Sequence, residues 1–185
     1  MTLLDSGEVR SGVRVPPTIR LEDLVAATGG RLQGPAPASS FSISGASVDS
    51  RRTTQGSIYV ALRGDRVDGH AFVADALRAG AVAAIVERPI ELPDDLRDAP
   101  RVIVADALRA LQDFAAWWRS RHPARVVGIT GSTGKTIAKE ITADVLSRGL
   151  ATLRNEGNLN SETGLPMTLL RLEPEHEAAV LEMSM

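Results

Sequence analysis

An apolar run, RVVGIT (residues 125–130), leads directly into GSTGKT (131–136) and then into IAKEITADVLSRG. A buried strand of the parallel-sheet kind, a glycine turn and a helix account for this order. Such a turn presents several backbone N–H groups to one point, and the helix N-terminus adds partial positive charge, so the junction suits a phosphate. A Cβ on the turn would keep the backbone from wrapping the phosphate oxygens. Gly131, Ser132, Thr133 and Gly134 form the expected cradle. Lys135 is expected to reach the β- and γ-phosphates, and the Thr136 hydroxyl to ligate Mg²⁺. The usual spacing, G-x-x-x-x-G-K-[ST], would put the first glycine at position 129, which is Ile129. Glycines stand instead at 128, 131 and 134, so this is a variant P-loop.

The segments around the loop extend the pattern. RVIVAD, from Arg101, reads as a strand. The helix after it carries Leu108, Leu111, Ala115 and Trp118 on one face, with Trp117 and Trp118 as packing residues. The helix after the loop runs from about Lys135 to Arg148 and is closed by Gly149. Pro166 fits the first turn of a helix over MTLLRL, and AAVLE (178–182) reads as a buried strand. Strand, helix, strand, helix, strand from Arg101 onward implies a parallel sheet. Glu182 closes the last strand at the edge where ligands of parallel sheets gather, so it is the candidate carboxylate for the metal, although a solvent-facing acid would occupy the same position.

The earlier part of the chain reads as a small mixed α/β unit over residues 18–90, behind a flexible leader at 1–17. TIRLEDLVAATGG is helical, with Leu21, Leu24 and Val25 on one face. GPAPASS is a loop, SIYVAL a strand, GDRVDGH a polar turn, AFVADALRAG a short helix and AVAAIVE a buried strand. ERPIELPDDLRDAPR is a connection. His70 is a lone histidine at a helix start, where a cap or surface role is the ordinary one. With 21 Lys and Arg against 23 Asp and Glu, the net charge of −2 makes no electrostatic case for nucleic acid. The absence of cysteine fits a reducing cytoplasm, and no apolar run is long enough for membrane insertion.

TGSTGKT, followed by GNLNSETGLPMTLLRL and VLEMSM, resembles the ATP-dependent Mur ligases of peptidoglycan synthesis. Within that family the likeness is nearest to the MurF type, which joins D-alanyl-D-alanine to a UDP-N-acetylmuramoyl-tripeptide. VDSRR, GSIYVALRGDRVDGHAF and ALRAGAVAAIVE look like the UDP-sugar-binding domain shared by the MurE and MurF types. The likeness runs from about Ile19 to the end. It implies an α/β fold: a small mixed α/β UDP-sugar-binding domain, then, over 91–185, the start of a parallel-sheet P-loop ATPase domain. It also implies ATP and Mg²⁺, with Lys135 on the phosphates, Thr136 and Glu182 on the metal, and Asn158 and Asn160 beside nucleotide and substrate. Ser50, Arg51, Asp65, Arg66 and Val67 match the region that contacts the UDP part; without the likeness they read equally well as a surface ion-pair cluster and loop.

Ser184 stands where the MurF type usually has glycine, which keeps a MurE-type or folylpolyglutamate-type ligase open. The family has three domains, so the chain is expected to be an N-terminal fragment lacking the rest of the ATPase domain and the C-terminal domain, and inactive alone. A non-catalytic UDP-sugar or nucleotide-binding module is the reading of another class.

Overall fold

The computed structural model describes residues 19–35, 43–64, 66–157 and 159–184. The expected leader, most of the GPAPASS loop, Asp65 and Asn158 lie outside them. Helix α1 (Leu21–Thr28) ends at Gly29, whose φ of 64° gives the left-handed cap that favours glycine. Five short strands follow: β1 (Arg31–Gln33), β2 (Gly45–Ser47), β3 (Ser57–Val60), β4 (Ala83–Val86) and β5 (Arg101–Ile103). They form one sheet in the order β1-β5-β4-β3-β2, parallel except where β1 runs against β5. Helix α2 (Val73–Arg78) connects β3 to β4, and α3 (Ala107–Arg119) follows β5.

The period-two alternation of a strand explains the uniform burial of β3 and β4. Ile58, Val60, Ala83 and Ile85 face α1 and α3 in one apolar cluster. Tyr59, Ala61, Ala84 and Val86 face α2 in another, with Val73, Ala76 and Leu77. Nothing on either face is left for water, so both strands read as continuous apolar runs.

The second sheet holds β6 (Arg125–Ile129), β8 (Ala178–Glu182) and β7 (Thr152–Arg154), all parallel and in that order. Helix α4 (Lys135–Leu146) follows β6, and α5 (Gly164–Leu169) lies between β7 and β8. The two sheets share a core. Phe114 and Trp118 of α3 join Leu153, Leu170, Leu172 and Ala179 in the larger cluster, and Trp118 Nε1 donates to the Leu172 carbonyl at 3.0 Å. Trp118 is buried and Trp117 half-buried, as packing residues.

Two expectations need correction. The strand from Arg101 does not begin the second sheet; it lies between β4 and β1 in the first, because its parallel neighbour is AAIV. RVVGI is not a buried strand. It is an edge strand paired only with β8 among the described residues, and Val126 and Val127 are 39% and 37% exposed. The fully buried central strand is AAVLE. β1, β2 and β7 have only three residues each, too few for a periodic signal. Among the described residues no helix is long and apolar enough to cross a membrane.

Candidate functional site

Parallel pairing decides which side chains meet. In the second sheet Ile129 lies opposite Glu182, so the loop after β6 opens beside the end of β8. Gly131 and Gly134 have φ of 147° and 74°, and Gly134 caps α4 without any side-chain hydrogen bond. Those angles are open to glycine and strained for other residues. Lys135 is the first residue of α4, and its Nζ donates to the Gly131 carbonyl at 2.6 Å, across the mouth of the loop. Ser132 and Thr133 are exposed at the turn.

Thr136 Oγ1 donates to Glu182 Oε2 at 2.9 Å, and Asn160 Nδ2 donates to Glu182 Oε1 at 2.9 Å. The hydrogen bonds from Asn160 and Thr136 hold the Glu182 carboxyl below its ordinary range. Asn160 is itself fixed, since its carbonyl accepts from both the N–H and the Oγ of Ser184, at 2.9 and 2.8 Å. Lys135, Thr136, Asn160 and Glu182 therefore converge as the sequence predicts. The donor set suits a hard cation: an ionised carboxylate and a hydroxyl, beside a loop built for phosphate. Among the described residues no cluster of three His, Asp or Glu side chains competes for it, so the remaining ligands would be phosphate and water oxygens.

The first sheet offers a second group at its own C-terminal edge. β2 and β3 are parallel neighbours, so the segments that follow them open on the same side. After β2, Ser50–Arg52 forms a single 3₁₀ turn capped by Asp49, whose Oδ1 accepts from the Arg51 N–H. Arg51 is exposed and clasps Asp49 through both Nε and Nη2, at 2.9 and 2.7 Å. This pairing, with the Arg51 side-chain bond first, lowers Asp49 to about 2. After β3, Arg66 and Val67 are exposed.

His70, behind that loop, is buried. Its Nδ1 is 2.6 Å from Asp68 Oδ1 and its Nε2 accepts from the Glu87 N–H at 2.8 Å. Both ring nitrogens are thus occupied by structural partners.

A cleft of about 280 Å³ opens beside the second group, bordered by Ser47, Asp49 and Arg52 on one side and Leu159, Met167 and Arg171 on the other. Arg52 and Arg171, not singled out from the sequence, line this cleft; Arg52 sits in VDSRR, whereas Arg171 belongs to no spacing that marks it before the fold is known.

Two models of one family match the chain: the Mur ligase middle domain over residues 129–185, and the Mur ligase family catalytic domain over 42–119. The UDP-N-acetylmuramoyl-tripeptide--D-alanyl-D-alanine ligase of Escherichia coli is 43% identical over 90% of this chain and 35% of its own length. That of Bacillus subtilis is 37% identical over 77% of this chain and 31% of its own. A crystal structure of MurF from Acinetobacter baumannii superposes with a TM-score of 0.79 at 37% identity, over 91% of this chain and 36% of that one. MurF ligase from Thermotoga maritima in complex with ADP gives 0.63 at 36%, over 75% and 31%. The chain thus spans about a third of the length of the relatives it matches.

Proposed function

The chain belongs to the Mur ligase family, with its likeness on the MurF side, and on that premise we propose that it forms the UDP-sugar-binding unit and the P-loop side of the nucleotide site of a cytoplasmic, ATP-dependent ligase. The reaction proposed joins D-alanyl-D-alanine to a UDP-N-acetylmuramoyl-tripeptide during peptidoglycan precursor synthesis. One observation supports this reading: a single loop lies beside both candidate sites. Leu159 lines the cleft beside Asp49 and Arg52, and its neighbour Asn160 holds Glu182 at the P-loop. A substrate held by the first unit is thereby led toward the phosphates held by the second.

The chemistry explains why two anions must be held together. A free carboxylate is a poor acyl donor because oxide does not leave. Transfer of the γ-phosphoryl group of ATP to a peptide carboxylate oxygen gives an acyl phosphate and ADP. The amine of D-alanyl-D-alanine then attacks the carbonyl carbon, the C–O bond to phosphate breaks, and the amine loses its proton as the amide forms. Lys135, exchanging the Gly131 carbonyl for phosphate oxygens, offsets charge on the transferred group. The backbone of Gly131 to Gly134 would cradle the phosphates, and Asn158 is assigned to the nucleotide. Thr136 and Glu182 would hold Mg²⁺, which supplies charge neutralisation between the phosphates when bound. Ser50, Arg51, Asp65, Arg66 and Val67 are assigned to the UDP part.

Lys135→Ala in the full-length protein tests the reading. Loss of one such contact costs about 3 kcal/mol in the transition state, so ligation falls about 10²-fold. Binding of the UDP-peptide, measured by calorimetry, is retained. Unchanged turnover would overturn the P-loop role.

A further inference from the structure

The loop beside both candidate sites is tied down by a side chain that meets only the main chain of their residues. Asn155, just after β7, is fully buried. Its Nδ2 donates to the Leu159 carbonyl at 2.9 Å and to the Glu182 carbonyl at 3.1 Å, and its Oδ1 accepts from the Glu182 N–H at 2.9 Å. Its own backbone carbonyl accepts from Lys139 Nζ at 2.7 Å. Lys139 is 1% exposed, lies one helical turn beyond Lys135 on α4, and pairs with Glu140 at 2.8 Å. A buried amide and a buried ammonium are costly unless satisfied. Here each is satisfied, and the partners belong to α4, β8 and the 155–160 loop, the segments that also carry Thr136, Glu182 and Asn160.

We infer that Asn155 and Lys139 form a latch that positions the metal-facing carboxylate: Lys139 fixes Asn155 to the P-loop helix, and Asn155 sets the height of Glu182 and the start of the loop that delivers Asn160. The inference rests on the P-loop reading above. Asn155 holds Glu182 only through its main chain, leaving one carboxylate oxygen to Thr136 and the other to Asn160. Lys139 and Asn155 are positioning residues, acting through Glu182 and Asn160. Partners of this kind around metal ligands typically change metal affinity or activity by about 10–100-fold.

The test uses the full-length protein and calorimetric titration of ADP, with Mg²⁺ and with chelator. The wild type is expected to gain affinity when Mg²⁺ is added. Asn155→Asp keeps the size and the acceptor but turns a carboxylate oxygen toward two carbonyls. Lys139→Met keeps the apolar stem and removes the donor. Both variants are expected to lose about tenfold or more of the Mg²⁺-dependent gain, while ADP affinity in chelator stays at the wild-type value. Retention of the gain in both variants overturns the latch, as does an equal loss with and without Mg²⁺, which marks a general structural role. Should Asn155→Asp fail to fold, Lys139→Met decides alone. Glu182→Gln separates the two levels. If it abolishes the gain while the latch variants keep it, only the latch is wrong. If it keeps the gain, Glu182 is not a metal ligand, and the latch falls with that reading.

Discussion

A methyl group added at Gly164 would strike the loop that both sites share. Gly164 opens α5, and a Cβ built there would lie 2.6 Å from the Cα and the carbonyl carbon of Leu159. Carbon atoms rest comfortably near 3.5 Å, so about 0.9 Å must be found. Helix α5 has little to give, because Pro166 and Thr168 are buried and Leu170 is in the shared core. The loop yields instead, taking Asn160 with it. Its bond to Glu182, now 2.9 Å, would stretch toward about 3.8 Å, beyond a hydrogen bond. Overpacking of this kind costs about 1–3 kcal/mol, and the better helix propensity of alanine returns up to about 1 kcal/mol. The net loss for Gly164→Ala is at most about 3 kcal/mol, up to roughly 12 °C in melting temperature for a chain of this size, and smaller by whatever the helix propensity returns. Scanning calorimetry on this chain reads the stability, and kcat of the full-length protein reads the displaced carboxylate. A melting temperature and kcat both equal to wild type would show that the Gly164 contact does not hold the loop.

Two further outcomes follow from the geometry. Asp49, held at about 2 chiefly by the Arg51 side chain, is ionised down to that pH, and the turn it caps loses this support only as pH falls through about 2. Arg51→Leu keeps the backbone N–H but removes the guanidinium, so the Asp49 midpoint in an NMR titration moves up toward the ordinary aspartate value of 3.8; an unchanged midpoint would remove the ion pair from the turn. Val126 and Val127, on opposite faces of the edge strand β6, are both exposed, and on α4 Ile137, Ile141 and Val145 are 59–69% exposed. An edge strand with exposed apolar side chains is weakly protected and adhesive. Hydrogen exchange on the 185-residue chain is expected to be fast in β6 and slow in β3 and β4; equal protection in β6 would contradict the exposed edge.

What the sequence made legible, and what it hid, divides along a physical line. The P-loop was visible because its chemistry is local: Gly131, Gly134, Lys135 and Thr136 act within one strand–turn–helix junction, and backbone demands fix their spacing. Glu182 could be singled out from the sequence because the end of a parallel strand is a predictable place for a ligand. Asn155, Lys139 and Gly164 were hidden because each owes its role to partners that the fold supplies. Lys139 differs from any other helical lysine only by meeting the carbonyl of Asn155, 16 residues away, and Gly164 matters only because the backbone of Leu159 crosses it. The sheet that the Arg101 strand joins is hidden for a related reason: an apolar run records that it is buried between neighbours, not which neighbours. RVVGIT shows the converse. Its composition suits a strand covered on both faces, yet its valines meet solvent, so the pattern describes the environment for which the strand is suited, not the one it has here. The hidden residues therefore lie where one element constrains another. In this protein those constraints meet at Glu182, which carries a local signal on its side chain and a non-local one on its main chain.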